Sequence, residues 1–113
     1  MHAKPIASLD LLAVDASGVR TSVTLRVGIP EPAATGEWRC MMRLDGLHDH
    51  LLPAHGEDSL QALCLALGLA ALLLRDFLAG GGRLYCVQEG AEPSEESAWP
   101  IEAYFGWVAP LSR

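Results

Sequence analysis

Aromatic residues are scarce in this chain, at 6% of 113 residues, and charged residues reach only 19%. The apolar mass is therefore mostly leucine and alanine. At 50% hydrophobic, the chain has enough of it to build a core without disulfide staples, and it is not a disordered chain. No CxxC pair occurs. Cys40, Cys64 and Cys86 lie far apart in apolar stretches, and an odd count does not make a disulfide framework. Buried free thiols in a reducing cytoplasm are the expectation. Positive charge is short as well: eight basic residues stand against fourteen acidic ones, for a net charge of -6. Such a field repels a phosphate backbone and an anionic membrane, so neither nucleic acid nor a membrane is expected as partner.

Several motifs are missing too. The opening Met1-His2-Ala3-Lys4-Pro5 has no apolar signal-peptide core, which points to a cytoplasmic protein. The uncharged run from Ser59 to Leu74 covers 16 residues, short of the roughly 20 that span a bilayer. There is no HExxH, no GxSxG and no dinucleotide fingerprint. The glycines at 80–82 close a helical pattern, whereas a phosphate loop opens one. No catalytic residue and no cofactor can be assigned, and the chain is expected not to be an enzyme.

What is present reads as strands followed by a helix. Ile6 to Val14 is mostly apolar and leads into an Asp15-Ala16-Ser17-Gly18 turn. Val19, Thr21, Val23, Leu25 and Val27 alternate with polar residues, the period of a half-buried strand. Pro30 and Pro32 end it. Trp38, Cys40, Met42 and Leu44 alternate with Arg39, Met41 and Arg43 and predict a third strand. Leu47 to Gly56 has no clear period and suits a loop or a short edge strand. Asp58 and Gln61 form a capping-box spacing before a Leu- and Ala-rich helix that runs to the triple glycine. Leu84 to Gln88 is a short strand candidate, and Glu89 to Ser97 is acidic and polar.

The predicted architecture is α+β, one domain over residues 1–113. An antiparallel sheet of three to four strands packs on one long helix near residues 58–79, with a short aromatic C-terminal segment. On a helical wheel Leu60, Leu63, Leu67, Ala70, Leu74, Phe77 and Leu78 form a broad face suited to the sheet. Leu65, Leu69, Leu72 and Leu73 form a second, which one sheet cannot also cover. The segment carrying Trp99, Ile101, Tyr104, Phe105 and Trp107 is expected to fold over it, leaving room for a homodimer contact.

Two polar groups could carry function. His48, His50 and His55, with Asp45 and Asp49 nearby, offer ordinary metal ligands, but their spacing fixes no closed shell. No bound metal is expected there. Arg20, Arg26, Arg39 and Arg43 share the parity opposite the apolar sheet positions, so they can form a basic stripe for an acidic partner protein.

Gly36-Glu37-Trp38-Arg39-Cys40 with Leu44-Asp45-Gly46-Leu47, then Gly56-Glu57-Asp58-Ser59-Leu60-Gln61-Ala62-Leu63, resembles a DUF6968-like family of small bacterial domains of unknown function. The similar part runs from about Val23 to Phe77. The resemblance implies no activity and no catalytic residues. Small bacterial proteins of this pattern look like accessory or immunity proteins, an analogy of architecture that fits action through protein contacts. The alternative class is a small metal- or ligand-binding protein that uses the loop from Asp45 to His55.

Overall fold

A computed structural model describes residues 4–87, 90 and 92–108. Gln88, in the predicted last strand, and Glu89 and Ala91, in the acidic segment, lie outside the described residues. The fold is α+β, with a four-stranded antiparallel sheet, a smaller three-stranded sheet and one long helix.

β1 (Ala7–Val14) and β2 (Arg20–Val27) pair antiparallel along their full length, from Ala7 with Val27 to Val14 with Arg20. Asp15 builds the turn between them. Its Oδ1 accepts from the Ser17 amide at 2.9 Å, the Ser17 hydroxyl at 2.7 Å and the Val19 amide at 2.9 Å. Gly18 takes φ +90°, a conformation that L side chains rarely adopt. β5 (Met42–Asp45) pairs with β2, and β7 (Arg83–Cys86) with β1, giving the order β5-β2-β1-β7.

The second sheet is β3 (Glu31–Pro32), β4 (Trp38–Cys40) and β6 (Ala54–Gly56), in the order β3-β4-β6. The predicted strand from Trp38 to Leu44 is thus divided. Its alternation survives, with Cys40, Met42 and Leu44 buried and Arg39, Met41 and Arg43 exposed, but its pairing passes from one sheet to the other at Met41. The prolines explain the division. Pro30 cannot donate to a ladder, so the partner strand restarts as the two-residue edge β3. Across the break the Gly28 amide still donates to Met41 O at 2.8 Å.

Helix α1 spans Ser59–Ala79. Asp58 caps it, its Oδ1 accepting from the Gln61 amide at 2.7 Å, while Gln61 Oε1 accepts from the Glu57 amide at 2.6 Å. At the other end the Gly81 amide donates to Leu78 O, and the Gly82 amide to Phe77 O, with Gly81 at φ +95°. Those two bonds make a Schellman closure, which explains the glycine run.

The helix meets the sheets on the predicted face, turned toward its alanines. Ala62, Ala66, Ala70, Ala71 and Leu74 are buried, and α1 packs most closely on β6 and β4. Leu63, Leu67, Leu69, Leu73, Phe77 and Leu78 are partly buried around that seam. Leu60, predicted to face the sheet, is 67% exposed in the first turn. Alanines at the line of contact let the helix axis come close to the strands, and the bulkier leucines spread to either flank.

The C-terminal segment also lies elsewhere than predicted. Trp99 and Phe105 belong to the main core, their ring centroids 6.2 Å apart. The Trp99 amide donates to Leu84 O at 2.9 Å, so the chain runs along the edge that β7 would otherwise leave unpaired. A short helix, α2 (Ile101–Phe105), follows. Arg75 of α1 fastens its end, donating from Nη2 to Phe105 O at 2.8 Å and from Nη1 to Val108 O at 2.7 Å. Leu65 and Leu72 stay exposed, without the expected lid.

Candidate functional site

The bend at Met41 has a consequence on the face away from the helix. Gly28, Ile29 and Met41 floor an open cleft of about 820 Å³ there. Arg26 enters it from β2, Arg39 from β4 and Arg43 from β5. Two walls flank these strands. The Ile6 amide donates to Val27 O, which sets Lys4 and Pro5 beside the end of β2. The His48 amide donates to Leu44 O, which sets His48, His50 and Leu51 beside β5.

Charge in the cleft runs against that of the chain. Lys4, Arg26, Arg39 and Arg43 face only Glu31 on the lining and Asp45 at its margin. Asp45 gives one oxygen to Arg26 Nη1 and the other to Arg43 Nη2, the latter at 3.0 Å, so a single carboxylate orients two guanidinium groups. Arg39 lies a loose 3.8 Å from Glu31. Each guanidinium carries five donors, so most remain available for an anion. His50 is at φ +59°, the sole non-glycine residue with positive φ among the described residues. A held conformation of that sort places its ring at the rim at some conformational cost.

Of the predicted site residues, the structure brings Arg26, Arg39, Arg43, His48 and His50 together. Arg20 lies at the other end of β2 and pairs with Glu92 at 3.0 Å. His55 stands apart on β6, its Nδ1 3.3 Å from Glu37. With Asp45 committed to arginines, no group of three or more His, Cys, Asp and Glu is arranged to hold a metal among the described residues. Leu69 and Leu73 pack against the core, Trp99 is inside it, and Trp107 is exposed with its Nε1 donating to Tyr104 O at 3.0 Å. Lys4, Ile29 and Glu31 were not legible as site residues. Met41 was, in principle: it shares the parity of Arg39 and Arg43.

The cysteines offer no nucleophile in the cleft. Cys40 is fully buried, its Sγ 3.4 Å from Gly28 O, and burial pushes its thiol pKa up. Cys64, predicted as core, is exposed on the outer side of α1, and Cys86 is half-buried; all three are free.

The chain belongs to the family described as domain of unknown function DUF6968, matched over residues 11–92. That span takes in the second half of β1, β2 to β7 and α1, and with them Arg26, Arg39, Arg43, His48 and His50; Lys4 and α2 lie outside it. Comparison with curated proteins and with solved structures finds no match.

Proposed function

We propose that this chain is a non-enzymatic cytoplasmic protein that acts through protein contacts, its basic cleft receiving an acidic segment of a partner. The observation that carries the reading is the convergence of Arg26, Arg39, Arg43 and Lys4 on one concave face of a chain with net charge -6. Against that overall charge, a local surplus of cations steers and orients an acidic protein segment. A long polyanion such as nucleic acid meets the repulsion of the remaining surface. Three free thiols suit a reducing compartment.

A second reading is a small anionic ligand in the same cleft. It is favoured by the volume of about 820 Å³, within the range of small-molecule sites.

Fluorescence anisotropy with a labelled glutamate-rich peptide tests the first reading. Binding should weaken steadily with added salt and fall sharply in the double variant Arg26→Gln, Arg43→Gln. These arginines are half-exposed and their ion pairs lie at the surface, so the double variant should keep a normal unfolding midpoint. An acidic peptide that fails to bind at low salt, or binds the double variant equally well, overturns the proposal.

A further inference from the structure

Resting on the reading of the cleft as a partner site, the geometry points to a specific partner pattern. We infer that the cleft takes an extended peptide with acidic residues at positions i and i+4 and an apolar residue at i+2.

The argument starts from Arg39, Met41 and Arg43. All three are exposed, alternate with buried Cys40 and Met42, and line the same cleft. They therefore present cation, thioether and cation along one strand direction. At about 3.3 Å per residue the two arginine backbones are at most about 13 Å apart. An extended ligand has the same repeat, so acids four residues apart match the backbone spacing of the two arginines, whose long side chains take up the change of sheet at Met41, while the residue between them falls on Met41. Met41 is 44% exposed and has Ile29 as its neighbour on the floor. An unbranched thioether there adapts to more than one apolar side chain, which makes it a contact surface without strict shape selection.

The topology decides how such a ligand lies. β4 has β3 on one side and β6 on the other, so no ladder edge is open beside Arg39. On β5 the Leu44 carbonyl already accepts from the Leu47 and His48 amides. A partner that meets Arg39, Met41 and Arg43 therefore need not add a strand. It lies on the outer face and is read by side chains. Lys4 and Pro5 beside the end of β2, and His48 to Leu51 beside β5, flank the β2 and β5 pair. Charge is also arranged for this register. Asp45 holds the Arg43 guanidinium at one end, whereas Arg39 at the other has only the distant Glu31. Both therefore keep donors for a bidentate carboxylate contact.

Isothermal titration of the full chain with three acidic peptides, each carrying two glutamates, tests the register. One carries Glu-Ser-Leu-Ser-Glu; a second has the same residues with the glutamates adjacent; a third is a stapled helix with glutamates seven residues apart, which share one face about 10 Å from each other. The in-register peptide should bind about tenfold more tightly than the other two, the value of one well-placed charge-assisted contact. In Met41→Ser the advantage of leucine over serine at the central position should vanish while salt-dependent binding persists. Equal affinity of the two linear peptides overturns the register and leaves the acidic-partner reading standing. Tighter binding of the helix overturns the extended geometry. Absence of binding by all three overturns both.

Discussion

Gly56 of β6 and Ala62 of α1 meet with no room for a methyl group between them. A Cβ built at Gly56 would lie 2.6 Å from the Ala62 amide nitrogen, closer than side-chain carbons approach backbone. That contact fixes the height of the helix above the second sheet, and the alanines at 62, 66 and 70 carry it along the seam. Gly56→Ala should force β6 and the first turns of α1 apart. Overpacking of this kind costs about 1–3 kcal/mol, readable as a fall in the urea midpoint with an unchanged slope. A variant as stable as the wild type would show that the seam is not tight.

The same seam separates two leucines that look alike in sequence. Leu74 is fully buried, whereas Leu60 is 67% exposed. Leu74→Ala should cost about 2–5 kcal/mol through lost burial and the cavity left behind. Leu60→Ala should stay within about 0.5 kcal/mol, as surface changes usually do. Denaturant unfolding of the pair checks the assignment, and comparable losses would show that Leu60 is packed as Leu74 is.

The contrast between Leu60 and Leu74 shows where the sequence was informative. Periodicity of two located β2 and the alternation from Trp38 to Leu44, because a pleated strand puts every second residue on one face whatever it pairs with. Asp58, Gln61 and the glycines at 80–82 marked both ends of α1, because caps are local. The face of α1 was legible from Leu63 to Leu78, with Ala70 and Leu74 on it, but it is turned toward Ala62 and Ala66 because hydrophobicity and proximity differ. The closest contact needs the smallest side chains, and a wheel weighted by apolar character points to the largest. The tail was misplaced for a topological reason: β7 exposes an edge only once β1 lies between β2 and β7, an order that local pattern does not encode. In the cleft, parity disclosed Arg26, Arg39 and Arg43. Their convergence with Lys4 and His50 depends on the bend at Met41 and on two loop walls, which sequence spacing does not reveal.

The turn after β1 gives the fold a dependence on acid. The Ser17 hydroxyl bond, with the backbone bonds from Val19, Ser17 and Gly18, holds the Asp15 carboxyl below its ordinary value. A depressed folded-state pKa means the unfolded chain binds the proton first. The stabilisation is therefore complete above the ordinary carboxylate range and is lost as pH falls through it toward the folded-state value. Asp15→Ala should be less stable than wild type at neutral pH, and the gap should narrow steadily under acid. Paired melting curves between about pH 7 and pH 2 follow that window. A gap that stays constant or widens on acidification would show that the carboxylate is not the group that matters.

Arg75 joins the helix to the C-terminal segment, and its loss should release that segment selectively. The side chain is mostly buried and donates to two main-chain carbonyls, Phe105 O and Val108 O, with Glu102 a further 3.4 Å contact. Hydrogen bonds from a charged donor contribute about 1.5–3 kcal/mol. Arg75→Met keeps much of the apolar stem and removes the donors, so α2 should loosen from α1 while the sheets keep their pairing. Trp99 is the reporter, since it is 5% exposed and packs on Tyr104 and Phe105 with ring centroids 5.0 and 6.2 Å away. Opening should shift its emission to longer wavelength, raise quenching by iodide and lower the unfolding midpoint, with amide exchange in β1 and β2 unchanged under native conditions. Deleting residues 98–113 should go further, because the chain then also loses Trp99 and Phe105 from the core and the amide that pairs with Leu84 O. If Arg75→Met leaves emission, quenching and midpoint at wild-type values, the guanidinium does not fasten the segment, and the burial of Trp99 and Phe105 holds it alone.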